Sequence, residues 1–384
     1  TLLENDFLIL RSMNNEIRKI PFIIFLFFSP LAINGQNSGG DTISVKERMF
    51  IDIESISFFK NNEYFSRITE GYTLPGSFIR PAFVYSPSPS LEIRIGLHQQ
   101  LYAGRMDQEK PALIFSSAWK ITPATLLTIG SLKGSDSHRL FDPLFDAERV
   151  YSSYNETGLS LVTETGSLFS DTWINWENFI SAGDSVREVF TAGESFSYTL
   201  PLSGEALKLS LPVQLKFKHY GGQISNYDSH VLTYLNAAAG AKLIFSPAGY
   251  RYGTFSAEYL WFGSRELTKK GDAGVISGNA SWIRLHYNYR ALYLGSYFWM
   301  AENFFSPDGN RIYSSVSDYV AGLIVPERRI WTSAVYFTIK PRGIFEFLAG
   351  FEGYYDLREK RMDSAVAIHL RLNRRIPLRS AGRD

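Results

Sequence analysis

From Leu207 to Phe217 the odd positions Leu207, Leu209, Leu211, Val213, Leu215 and Phe217 are all apolar. The even positions are Lys208, Ser210, Pro212, Gln214 and Lys216. A strand turns successive side chains to opposite faces, so this segment has one greasy face and one wet face. The period recurs along the chain. Leu91, Ile93, Ile95 and Leu97 alternate with Glu92, Arg94, Gly96 and His98, and Ile283, Leu285 and Tyr287 with Arg284, His286 and Asn288. Phe345 to Phe351 and Val366 to Leu372 follow the same rule. No comparably long stretch carries apolar residues at helical spacing.

The connections sort into two kinds. Short ones, rich in Pro, Gly and Ser, fall at 86–90, 122–123, 165–167, 201–205, 246–249, Arg290 and 340–343. Longer polar ones fall between them, at 60–76, 104–110, 133–155, 181–187, 220–230, 263–278, 303–329 and 356–362. Strict alternation of short and long connections is the rhythm of an outer-membrane barrel, with tight periplasmic turns and longer outer loops. It predicts an all-β fold, a transmembrane antiparallel up-and-down β-barrel of about sixteen strands, with fourteen or eighteen as neighbouring counts. Tyr319–Val325 is assigned to a loop, since a further strand would put the two termini on opposite sides. A soluble β-sandwich or propeller also alternates, but rarely needs so many strands of ~10 residues with asymmetric connections.

Composition fits this reading. The 39 basic and 38 acidic side chains leave a net charge of +1, which argues against nucleic acid as a partner. The absence of cysteine excludes disulfides, thiolate metal sites and cysteine nucleophiles. Aromatics make up 15% of the chain, and pairs such as Trp261 and Phe262, Tyr297 to Trp299, Phe304 and Phe305, and Tyr354 and Tyr355 are expected to form interfacial girdles. Ile20–Ile33 is too short to span a bilayer as a helix and contains two prolines. With Arg18 and Lys19 before it and small residues after, it reads as a secretory signal peptide cleaved after Gly35. The expected organisation is therefore 1–12 as upstream residues, 13–35 as the signal, 36–43 as a periplasmic tail, 44–373 as the barrel and 374–384 as a second periplasmic tail.

The search for chemistry finds no G-x-S-x-G elbow, no H-E-x-x-H and no P-loop, and this predicts a protein that is not an enzyme, with no catalytic residues, no metal and no cofactor. The six histidines are scattered, and His98, His286 and His369 take the inward phase. The wet face supplies candidate pore-lining residues: Arg94, His98, Lys208, Lys216, Lys218, Arg284, Arg290, Glu346, Glu352 and Arg371. Sixteen strands leave room for an aqueous channel unless loops fill it. The densest polar connection, Ser135–Glu148, offers Asp136, His138, Asp142, Asp146 and Glu148 as a constriction loop or a site for a hard cation. Asp41-Thr42-Ile43 and Asp363-Ser364-Ala365 match a short O-glycosylation acceptor pattern.

The blocks Gly76–His98 and His138–Tyr151, behind a signal ending before Gln36, resemble an uncharacterised, porin-like family of outer-membrane β-barrels from Bacteroidota. The resemblance implies an outer-membrane location and a barrel fold. The expected function is a porin-like channel for small polar solutes, with a plugged barrel serving as a structural or assembly subunit as the alternative. A barrel enzyme acting on lipid or peptide ranks behind both, because the familiar motifs are missing. Expected partners are outer-membrane lipid, the barrel assembly machinery during insertion, and an outer-membrane protein complex.

Overall fold

A computed structural model describes residues 48–378, apart from 205, 223, 225, 228–229, 248–251 and 342–344. The expected signal, both N-terminal segments, the first acceptor-like triplet and 379–384 lie outside the described residues. The first eight strands are β1 Arg48–Glu63, β2 Tyr72–Ser88, β3 Leu91–Tyr102, β4 Ala112–Thr122, β5 Thr125–Ser131, β6 Thr157–Glu164, β7 Leu168–Asn178 and β8 Glu188–Ser203. The second eight are β9 Leu207–Gly221, β10 Leu232–Phe245, β11 Thr254–Glu266, β12 Ser277–Tyr289, β13 Leu292–Glu302, β14 Glu327–Ile339, β15 Phe345–Asp356 and β16 Arg361–Leu378. Each pairs antiparallel with its neighbours in sequence, and β1 pairs with β16 from Met49–Leu378 to Glu63–Ser364, so the sheet closes on itself. Closure removes every edge, which a barrel in hydrocarbon requires because unpaired backbone groups there have no water to bond. Among the described residues no helix is long and apolar enough to cross a membrane; the strands do so.

One boundary differs from the sequence reading. β16 continues through Arg374, Arg375 and Ile376 to Leu378, where a tail was expected from 374. The extension is held by the β1 ladder and by Arg375, which donates to Asp52 at 2.8 Å and to Glu92 at 2.9 Å. The second acceptor-like triplet lies within β16, with Asp363 buried and accepting from the Phe65 amide at 2.6 Å. Tyr319–Val325 belongs to a loop, with one isolated bridge between Val316 and Ile324.

Alternation explains the walls. Leu211, Val213, Leu215 and Phe217 stand exposed on the outer face of β9, while Gln214, Lys216 and Lys218 are buried inside. It also divides the aromatic pairs, and here the girdle expectation needs correcting. Trp261 and Tyr355 point outward, but Phe262, Tyr297, Trp299, Phe304 and Tyr354 point inward and are buried. Adjacent strand residues cannot share a face, so the strand clusters split between the membrane side and the interior, while Phe304 and Phe305 lie in a loop and Phe305 packs on the buried Tyr234 at 5.6 Å. The inward rings form a core inside the barrel with Trp282, Leu144, Ile312 and Tyr313.

Candidate functional site: a lumen closed by two loops

The interior core needs partners that the wall alone cannot supply, and two long outer connections provide them. L3 (residues 132–156) contains a 3-10 turn, Ser135–His138, and one helical turn, Arg149–Ser152. L7 (residues 303–326) contains a 3-10 turn, Arg311–Tyr313. L3 reaches β9, where the Phe141 amide donates to Gln214 Oε1 at 2.8 Å and Gln214 Nε2 donates to the Arg139 carbonyl at 2.9 Å. It also reaches the opposite wall at β1, where the Tyr154 hydroxyl donates to Glu54 at 2.5 Å and Lys60 pairs with Glu148 at 3.2 Å. In the ring order β1 and β9 are eight strands apart, so a loop that touches both crosses the lumen. Tyr151 and Tyr154 stack on Phe58 and Phe78 at 4.7 Å each, and Tyr151, Tyr154 and Leu144 are all buried.

L7 packs beside it. Its Phe304 and Tyr313 rings lie 5.3 and 5.2 Å from Trp299. The buried Arg328 of β14 donates to the Ser314 carbonyl at 2.6 Å and to Asp356 at 3.1 Å. The two loops meet along backbone: the Asp146 amide donates to the Asp308 carbonyl at 2.7 Å, and the Asn310 amide to the Asp142 carbonyl at 2.9 Å. Gly309 sits between these contacts. A Cβ there would lie 2.1 Å from the Pro143 carbonyl oxygen, so this approach requires glycine.

Three polar clusters pin the loops. Asp308 of L7 receives Lys216 at 2.7 Å, Lys218 at 3.0 Å and Arg149 of L3 at 3.5 Å. Burial alone would raise its pKa, but the three cations hold the carboxyl well below the usual range. His138 is sandwiched between carboxylates, with Nδ1 2.8 Å from Asp171 and Nε2 2.7 Å from Glu156, and it stacks on Trp173 at 4.0 Å. Burial would lower its pKa; hydrogen bonds to both acids override this and raise it to about 9. Glu148 is held by Lys60, by Asn62 at 3.0 Å and by the Tyr72 hydroxyl. Beside it, burial pushes Asp142 up to about 7, although the Ala147 amide and Asn310 donate to it, and burial with the neighbouring acids raises Asp146 as well.

The candidate constriction loop is therefore inside the barrel, but as a packed plug. Among the described residues no group of three or more His, Asp or Glu side chains is arranged to hold a metal ion. Asp136 instead meets Arg371 at 2.6 Å. Most of the candidate pore-lining residues do face inward, and most have partners in the wall or plug. Arg94 binds Asp52 at 2.7 Å and Arg284 binds Glu258 at 2.9 Å; Glu346 meets Lys340 and, at 3.5 Å, His369; Glu352 accepts from Tyr354 at 2.6 Å. His98 packs on Phe78 at 5.1 Å and is buried, and Lys208 takes the inward phase of β9. Lys216 and Lys218 serve the plug. Arg290 is a correction: it occupies the turn after β12 with φ of 53°, lies against Tyr289 at 5.1 Å, and lines no pore, because the two-residue reversal places it beyond the strand.

The sequence reading missed L7, Asp171, Glu156 and Arg149. A visible signal was present: Phe304, Phe305, Ile312 and Tyr313 in a long connection demand burial that a solvated loop cannot give.

Protons bind the closed plug more tightly than an open one at His138 and Asp142. Their stabilisation is complete below the ordinary values of 6.5 and 3.8, and is lost as pH rises through about 9 and about 7 respectively. For His138 this amounts to roughly 3 kcal/mol. Near-UV circular dichroism of the packed tryptophans should show a lower melting temperature at pH 10 than at pH 6, with the difference shrinking in His138→Gln. A flat profile across that interval would refute the assignment.

One solved structure carries the fold comparison. The outer membrane protein OprD from Pseudomonas aeruginosa aligns with a TM-score of 0.51 at 9% identity, covering 88% of this chain and 97% of that one. A loop-deletion mutant of OmpT, an outer membrane protein of Vibrio cholerae, aligns with a TM-score of 0.49 at 11% identity, covering 85% and 99%. The barrel is that of outer-membrane proteins, consistent with an outer-membrane location. No curated protein matches the chain. A family model described as lipid A 3'-O-deacylase-type matches residues 40–381. This is an enzyme family, and it overturns the expectation of a non-enzymatic protein; that expectation rested on contiguous motifs from soluble folds, which a barrel need not carry. With the match running nearly end to end, the chain belongs to the lipid A 3'-O-deacylase-type family.

Proposed function

We propose that the protein is an outer-membrane hydrolase that removes an ester-linked acyl chain from a lipid A-type glycolipid. The family supports the chemistry. The observation that carries the reading in this molecule is the closed lumen: L3 and L7 fill the barrel, which leaves the outer wall and rim as the surfaces a lipid can reach. Outer-membrane lipid is then both solvent and substrate, and the segment 13–35 directs export before the assembly machinery inserts the barrel. Solute passage, the reading drawn first from the sequence, requires the plug to leave. The test is expression of the full chain in cells whose lipid A has a known acylation pattern, followed by mass spectrometry of extracted lipid A. A new species lighter by one ester-linked acyl chain is the expected result; an unchanged pattern in cells with folded barrel in the outer membrane refutes the proposal.

A further inference from the structure

On the outer face, at the loop end of β8, β9 and β10, three side chains stand abreast. Phe190, His219 and Thr233 are direct cross-strand partners, in the registers Phe190–His219 and His219–Thr233. The Thr233 Oγ1 and His219 Nδ1 atoms lie 2.9 Å apart. Phe190 stacks on the imidazole at 4.8 Å and 26°, and Trp176 packs on Phe190 at 5.6 Å, so the ring is held on edge between strands. The other imidazole nitrogen lies over Gly221, where an added Cβ would come within 2.7 Å of Nε2. Glu188 is the register partner of Gly221, which puts it on the same outer face one pair from the ring. Trp176 Nε1 fixes that carboxylate by donating to Oε1 at 2.9 Å. A hydroxyl in direct hydrogen-bond contact with an imidazole, and a carboxylate fixed on the neighbouring strand, are the group types acyl transfer uses.

We infer that Thr233, His219 and Glu188 form the acyl-transfer site of this barrel, an inference that rests on the hydrolase reading above. The placement suits a lipid substrate. Long connections mark this end as the outer side, Phe217 and Trp176 expose apolar surface beside the histidine for acyl chains, and Arg187 lies over the Tyr227 ring at 4.8 Å near the rim, a cation for a phosphate. In the reaction His219 Nδ1 takes the Thr233 proton as Oγ1 attacks the ester carbonyl carbon. The bond from that carbon to the sugar oxygen breaks, and the sugar oxygen leaves as a hydroxyl with the proton from His219. A water, deprotonated by the same nitrogen, then attacks the acyl-threonine ester, releasing the fatty acid and restoring the Thr233 hydroxyl. Glu188, on the neighbouring strand, stabilises the imidazolium through its charge.

The experiment compares wild type with Thr233→Val, Thr233→Ser, His219→Gln and Glu188→Gln. Acyl release from purified lipopolysaccharide is followed by mass spectrometry, and labelling by a dodecyl fluorophosphonate in detergent micelles is mapped by peptide mass. Heat-modifiable gel mobility verifies that each barrel is folded. The expected pattern is loss of release by about 10³-fold or more in Thr233→Val and His219→Gln, and retention within about tenfold in Thr233→Ser. The phosphonate should sit on Thr233 in wild type and be lost in His219→Gln. Release by wild type that persists in folded Thr233→Val overturns the site while leaving the hydrolase reading intact. Labelling of Thr233 without release from lipopolysaccharide keeps the site and overturns the substrate; absence of both overturns both.

Discussion

Purified wild-type barrel is expected to give no stepwise current in planar bilayers, whereas the same protein with residues 135–154 replaced by a short Gly-Ser linker is expected to conduct. Sixteen strands would leave a water-filled channel if the interior held only wall side chains. L3 crosses that channel from Gln214 on β9 to Glu54 on β1, and its Tyr151 and Tyr154 rings cover Phe58 and Phe78. The deletion removes those rings and frees the β1–β3 side. The sixteen-strand ladder does not depend on L3, so the variant should keep the heat-modifiable mobility of a folded barrel. Steps from wild type, or a silent but folded deletion variant, would show that the lumen is not closed in this way.

Asp308→Ala is expected to be the most damaging single substitution within the plug. It leaves Lys216, wholly buried, and Lys218, nearly so, without their shared carboxylate, and it detaches Arg149. Removing one member of a buried ion cluster typically costs about 3–5 kcal/mol, because the stranded charges have no water to return to. Lys218 keeps Glu177 at 2.6 Å, so Lys216 bears most of the loss. The double variant Asp308→Ala with Lys216→Met should recover much of the stability, since the uncompensated charge is gone. Limited proteolysis within L7 reads the effect directly: fast cleavage in the single variant, slow cleavage in wild type and in the double.

The fold was legible in the sequence, because an outward face written as Leu207, Leu209, Leu211, Val213, Leu215 and Phe217 leaves a strand little choice, and short turns alternating with long loops set the topology. The inward phase of Lys216, Arg284 and Glu346 followed from the same period. Their partners did not. Lys216 finds Asp308 92 residues away, and His138 lies between acids 18 and 33 residues distant. Pairings of that kind depend on where a loop folds back, which periodicity does not encode. The aromatic pairs were misplaced for a simpler reason: clustering at strand ends was read as a girdle without applying alternation to each ring. None of the contiguous motifs searched for marked the enzymatic family; in a barrel, side chains such as His219 and Thr233 meet only through the strand register.

The account's central claim, a barrel with a filled lumen that works on lipid at its wall, is tested most directly with purified folded protein and lipopolysaccharide alone. Lipid A recovered after incubation should be lighter by one ester-linked acyl chain, with an equal amount of free fatty acid released. Lipid A of unchanged mass, with the barrel folded throughout, would contradict the account.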